Sequence, residues 1–200
     1  MSKQAFNNVN TALEGNSEIL MKKAMISFGK NYTVMDQNQK PLMFVRLDAG
    51  QNVTGSLVKG ALGGVGRVLA RRMSYTYRVN DANDQNALEI RKGTGAYKSQ
   101  FDVVEPDSGD KIGVITMKRG FIGGMQAHWQ DPKSNETLLS TRGNVMRRKY
   151  VITGPAGNEV AKVRHKIAAI RDVWKLELSQ GTNHLHSVIF ASILDFEKEM

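Results

Sequence analysis

Residues Thr182–Met200 read TNHLHSVIFASILDFEKEM, and this stretch decides the fold. It follows a chain of short alternating runs and reads as one helix. Leu185, Val188, Ile189, Phe190, Ala191, Ile193, Leu194 and Phe196 leave it almost no polar side. A helix that is apolar all round has to be buried on all sides. Its apolar part, Leu185–Phe196, is shorter than the roughly 20 residues that a bilayer crossing needs. In a β-rich chain the simplest container is a closed barrel of strands.

The preceding sequence supplies such strands. Tyr75, Tyr77 and Val79 alternate with Thr76 and Arg78; Leu88 and Ile90 alternate with Glu89 and Arg91. Trp174, Leu176 and Leu178 alternate with Lys175, Glu177 and Ser179. Polar turns such as Asp36–Gln39, Pro106–Asp110, Asp131–Asn135 and Gly154–Asn158 separate the runs. Period-two alternation bounded by Gly, Pro, Asn and Asp marks strands in hairpins. Counting from Ile19–Met25, about twelve strands are expected. The fold class is therefore mainly β: an antiparallel closed barrel around a central hydrophobic C-terminal helix. Closure also removes the exposed edges that promote aggregation. Trp129 and Trp174 lie in alternating runs and read as core.

Met1–Ser17 is polar, rich in Asn, and lacks the apolar stretch and cleavage site of a signal peptide. It reads as a flexible N-terminal arm ahead of a single domain over 18–200. The expected location is cytoplasmic, peripheral at the inner face of the membrane if the protein meets lipid. The chain has no cysteine, which removes disulfides, thiol nucleophiles and thiolate metal sites.

Lys and Arg total 28 against 19 Asp and Glu, a net charge of +9 that suits an anionic partner. The segment Gly55–Arg72, GSLVKGALGGVGRVLARR, concentrates part of it. On a helix, Leu57, Val58, Ala61, Leu62, Val65, Val68 and Leu69 share one side, and the cations fall on or near the other. A Gly-rich helical insertion over about 52–72 is thus expected, weakened by roughly 1 kcal/mol per glycine. Two readings stay open: an interfacial membrane element, or a cover over one end of the barrel. Lys59, Arg67, Arg71 and Arg72 are the candidate lipid- or anion-binding residues. Arg147, Arg148 and Lys149, with Lys118 and Arg119, form a second basic group, read as a solvated face.

No catalytic or metal motif stands out. The Gly-rich segment lacks the Lys-Ser or Lys-Thr of a phosphate loop, and no HExxH, GxSxG or EF-hand spacing occurs. His184 and His186 are two apart on a helix and point in different directions; one is expected inside and one near the barrel mouth. The reading is a non-enzyme with no cofactor and no metal.

Phe28–Asp36 (FGKNYTVMD), Tyr75–Asp81 (YTYRVND), Gly154–Val163 (GPAGNEVAKV) and the helix ending Ile193-Leu194-Asp195-Phe196 resemble the LURP-one-related and phospholipid-scramblase families. The resemblance runs from about Leu20 to the C-terminus. It implies the tubby C-terminal-like fold, a twelve-stranded barrel around a C-terminal helix. Tubby-like members bind phosphoinositides through basic residues, and scramblase-like members move phospholipids between leaflets. The scramblases' acidic segment before the last helix is here Leu178–Asn183, with no carboxylate. The resulting expectation is a membrane-associated module that recognises anionic phospholipid or phosphoinositide head groups. The alternatives are a nucleic-acid-binding or regulatory adaptor protein, disfavoured by the lack of a recognition motif, and a lipid carrier, disfavoured by the helix filling the barrel. The oligomeric state is left open.

Overall fold

The computed structural model describes residues 2–23, 31–48, 74–93, 98–119, 125–142, 149–168 and 171–198. Helix α1 (Ser2–Glu14) is followed by twelve strands: β1 (Glu18–Lys23), β2 (Asn31–Met35), β3 (Pro41–Leu47), β4 (Tyr75–Asp81), β5 (Asn86–Lys92), β6 (Lys98–Val104), β7 (Lys111–Arg119), β8 (Met125–Gln130), β9 (Thr137–Arg142), β10 (Lys149–Thr153), β11 (Glu159–Ala168) and β12 (Arg171–Leu178). Helix α2 (His184–Lys198) ends the described chain. Each strand pairs antiparallel with its sequence neighbours, and β1 pairs with β12, closing the barrel. The expected fold class is the observed one.

Alternation sets the inside and the outside. Ile19 and Met21 on β1, and Trp174, Leu176 and Leu178 on β12, point inward and are buried. The hairpin turns use residues that tolerate left-handed backbone: Gln39, Asp84 and Asn135 have φ of 64°, 64° and 59°, and Gly109 and Gly157 have 73° and 76°. At Gly113 on β7 a different demand operates. A Cβ there would lie 2.3 Å from Trp129 Nε1, so only glycine lets the indole lie flat against the strand.

Helix α2 threads the barrel. Leu185, Val188, Ile189, Phe190, Ala191, Ile193, Leu194 and Phe196 are all buried, the least of them 1% exposed. Its start is set by Asn183, whose side-chain oxygen accepts the His186 amide at 2.9 Å. Its side chains reach strands around the whole circumference. The Ser192 hydroxyl meets Met21 on β1, His186 stacks on Trp129 of β8, and Phe196 stacks on Tyr77 of β4 at 4.7 Å and 4°.

The N-terminus departs from expectation. Most of the segment read as a loose arm is helix α1, seated across one end of the barrel. Ala5, Val9 and Leu13, four apart, form its buried stripe, with Phe6 and Ala12 packed beside them. Polar contacts fix it at three points. Ser2 donates through its amide and hydroxyl to Asp107, Asn8 donates to Asp81 at 2.9 Å, and the Leu13 carbonyl meets His184. Burial opposes ionisation of Asp81, but hydrogen bonds from Asn8, Gln85 and Asn83 prevail and hold its carboxyl below the usual range. The short turns 36–40, 82–85, 105–110, 131–136, 154–158 and 179–183 all lie at this capped end. The Gly-rich helix expected over about 52–72 falls outside the described residues.

Candidate functional site

Lys59, Arg67, Arg71 and Arg72 lie outside the described residues, as do Arg147 and Arg148. Lys149 and Lys118 are both exposed, but β8 and β9 separate their strands. At about 4.8 Å per strand they stand roughly 14 Å apart along the sheet and do not form one cluster. Charge is distributed unevenly over the outer surface of the barrel.

On one side it is balanced residue by residue. Arg46 on β3 pairs with Asp84 at 2.6 Å, Arg78 on β4 with Asp48 at 2.9 Å, and Arg91 on β5 with Glu89 at 2.8 Å. Lys111 on β7 pairs with Asp102 of β6 at 2.7 Å. The cations of these pairs are exposed and each pair is individually worth little, but every one of these four cations has a carboxylate beside it.

Strands β10, β11, β12 and β1 differ. Their outward positions carry Lys149 on β10, Lys162, Arg164 and Lys166 on β11, Lys175 on β12, and Lys22 on β1. The register puts them side by side. Lys149 lies opposite Arg164, and Arg164 opposite Lys175. One row further from the capped end, Lys166 and Lys22 flank Val173. Directly opposed like charges destabilise a sheet; Arg46 lies opposite Arg78 in the same way on β3 and β4, where each has its own carboxylate.

The acids on this face gather toward the capped end. Glu18 lies 2.5 Å from Lys175, Glu177 lies 3.4 Å from Lys175 and 4.0 Å from Arg164, and Glu159 pairs with Lys162 at 2.9 Å. The hydrogen bond to Glu18, then that to Glu177, holds the Lys175 ammonium above its ordinary range. Among the described residues, Lys22, Lys149 and Lys166 have no carboxylate within ion-pair distance. The cationic part thus lies on the half of the face away from α1. Sequence reading missed Arg164, Lys166, Lys175 and Lys22. The signal present was the period-two row Lys162, Arg164, Lys166, which puts three cations on one face of one strand.

Inside the barrel, at the end away from α1, is a second group of polar side chains. Asp195 of α2 is 5% exposed and accepts a hydrogen bond from the Tyr32 hydroxyl. Burial, then the Asp195 charge, pushes the Tyr150 hydroxyl well above its usual range. Lys92 is 3% exposed, with its ammonium over the Tyr75 and Phe101 rings at 5.5 and 5.8 Å. These contacts orient the end of α2 and the mouth of the barrel. Trp129 and Trp174 are core. Among the described residues, no three His, Cys, Asp or Glu side chains converge as a metal site, and no helix is long and apolar enough to cross a membrane.

The geometry is therefore a closed barrel with one face on which three cations, Lys22, Lys149 and Lys166, have no described carboxylate beside them, next to three that do. The profile of the LURP-one-related family matches residues 17–195. No curated protein and no solved structure matches the chain.

Proposed function

The chain belongs to the LURP-one-related family, and from that premise we propose that it is a non-enzymatic module that docks on anionic membrane surfaces through the outer face of β10, β11, β12 and β1. The observation that supports this reading is a surplus of cations: Lys149, Lys166 and Lys22 have no described carboxylate within ion-pair distance, beside Arg164 and Lys175, which share Glu177 and Glu18, while Arg46, Arg78 and Arg91 each have a carboxylate of their own. Four adjacent strands span about 14 Å. That width suits several anionic phospholipid head groups at once. Each Lys or Arg near such a surface contributes about 1 kcal/mol, fading within a Debye length as salt rises.

The experiment is co-sedimentation with vesicles of phosphatidylserine and phosphatidylcholine, and with phosphatidylcholine alone. Binding is expected to the first and not the second, and to weaken steeply with salt. Replacing Lys149 and Lys166 by Glu is expected to abolish it. Equal sedimentation with both vesicles, or binding indifferent to salt, would remove the electrostatic reading. Tight binding to duplex or single-stranded nucleic acid with none to vesicles would transfer the face to a different partner.

A further inference from the structure

Helix α1 does not sit flush on the barrel along its whole length. Beside its first two turns lies a pocket of about 270 Å³, lined by Lys3, Phe6 and Asn7 of α1, Leu88 of β5, Glu105 just after β6, and Ile112 of β7. Lys3, Phe6 and Asn7 are three and four residues apart and share one face of the helix, next to the buried stripe that holds Ala5 and Val9. The register of β6 and β7 passes over Ile112, since Val103 lies opposite Gly113 and Val104 opposite Lys111. Such a bulge re-aims a side chain, and Ile112 joins Phe6 and Leu88 in an apolar wall.

Two opposite charges border that wall without meeting. Among the described residues, the Lys3 ammonium has no carboxylate within ion-pair distance, and the Glu105 carboxylate has no cation. The side-chain partner of Glu105 is the Ser108 hydroxyl, which donates to it at 2.9 Å. Neighbouring charges are engaged elsewhere: Asp107 accepts from Ser2, and Lys111 pairs with Asp102. One apolar pocket thus carries a cation and an anion, each open to a further partner.

Size and charge together select the occupant. The volume lies just below the roughly 300–1,000 Å³ of sites for drug-sized molecules, so a two-chain phospholipid does not fit. A single-chain acid would use Lys3 and bring its own negative charge beside Glu105. A small molecule with an apolar body, one carboxylate and one ammonium uses every group in the pocket. We propose that the pocket binds a free apolar α-amino acid. Its side chain rests on Phe6, Leu88 and Ile112, its carboxylate meets Lys3, its ammonium meets Glu105, and the Asn7 amide adds a polar contact at the rim. Hydrogen bonds between ionised groups of this kind are the strong ones. The pocket lies at the capped end, apart from the cationic half of the β10–β1 face, and stands whether or not that face binds lipid.

Titration of the full chain with L-phenylalanine at neutral pH, followed by backbone amide NMR shifts, tests this. Saturable shifts are expected for the amides of Lys3, Phe6, Asn7 and Ile112, and none for β11. N-acetyl-L-phenylalanine keeps the carboxylate and loses the ammonium; L-phenylalaninamide does the reverse. Each is expected to bind roughly tenfold more weakly than the free amino acid. Lys3 is exposed, and Lys3→Gln is expected to weaken phenylalanine by a similar factor while leaving phenylalaninamide unchanged. Glu105→Gln, which keeps an acceptor for Ser108, is expected to weaken phenylalanine and leave the N-acetyl form unchanged. Four results would each overturn the amino-acid site: no saturable shift at millimolar phenylalanine, blocked forms that bind as well as the free one, shifts centred elsewhere on the barrel, or octanoate bound more tightly than phenylalanine.

Discussion

The outer surfaces of β3–β5 and of β10–β12 with β1 are built from the same residue types and the same pleat, and both set cations opposite one another, Arg46 opposite Arg78 on the first and Lys149 opposite Arg164 on the second, yet they differ in how many of those cations have a carboxylate. On β3–β5 each of Arg46, Arg78 and Arg91 has its own carboxylate. Across the other strands, Glu159, Glu177 and Glu18 serve Lys162, Arg164 and Lys175, but Lys22, Lys149 and Lys166 have no described carboxylate within ion-pair distance. The first pattern is what a sheet exposed only to water needs. The second leaves three cations on one face without a described carboxylate, a local positive field that the first does not have. A net charge of +9 says little by itself; its uneven placement over the barrel is what the proposed docking face rests on.

Both faces rest on one core, so the contrast breaks first if the core fails. Phe196 is fully buried and contacts Tyr32 and Tyr77. Phe196→Ala is expected to cost about 3–5 kcal/mol, read as a lowered urea midpoint. Unchanged stability would mean that α2 does not fill the barrel.

Acid is the next largest effect. His186 is held at about 4 by burial, below an ordinary unfolded histidine. Its contribution is complete above about pH 6.5 and is lost as pH falls through the folded value, roughly 3 kcal/mol in all. His186→Gln is expected to flatten the part of the urea-midpoint profile between about pH 4 and 6.5. Asp81, whose carboxyl lies below its usual range, loses stability in the same direction and remains in that variant. A profile identical to wild type would show that His186 is not held neutral by its site against Trp129.

A smaller change sharpens the comparison directly. Glu177 is the carboxylate nearest the centre of the cationic face, beside Lys175 and Arg164. Glu177→Gln is expected to tighten binding to anionic vesicles by about 1 kcal/mol, roughly fivefold. Weaker binding would place the acid in the contact itself. Smallest of all, Asp84→Asn on the balanced side removes only an exposed pair with Arg46. It is expected to change urea stability by less than about 1 kcal/mol. A larger loss would show that these pairs hold the sheet rather than merely cancel charge.

Legibility from the sequence followed the strength of the local pattern. The all-apolar face of Leu185–Phe196 admits one environment, and clean alternation in runs such as Trp174–Leu178 fixes both strand type and side, so the barrel and its central helix could be read. Helix α1 was hidden by Asn7, Asn8 and Asn10, which lower its hydropathy; the spacing of Ala5, Val9 and Leu13 was the signal that mattered. The cationic face was half visible. Lys162, Arg164 and Lys166 alternate within one strand, but their meeting with Lys149, Lys175 and Lys22 depends on register between strands, which no local pattern contains. His184 was legible only as a residue inside or near the mouth of the barrel, because its two carbonyl partners come from distant parts of the chain.

The most direct test compares two variants of equal net charge on the same anionic vesicles. Lys149→Gln with Lys166→Gln removes two cations from the unbalanced face; Arg46→Gln with Arg78→Gln removes two from the balanced one. The first is expected to lose about 2 kcal/mol of binding, roughly 30-fold, and the second to bind like wild type. Equal losses from both would mean that only total charge matters and would contradict a docking face on β10, β11, β12 and β1.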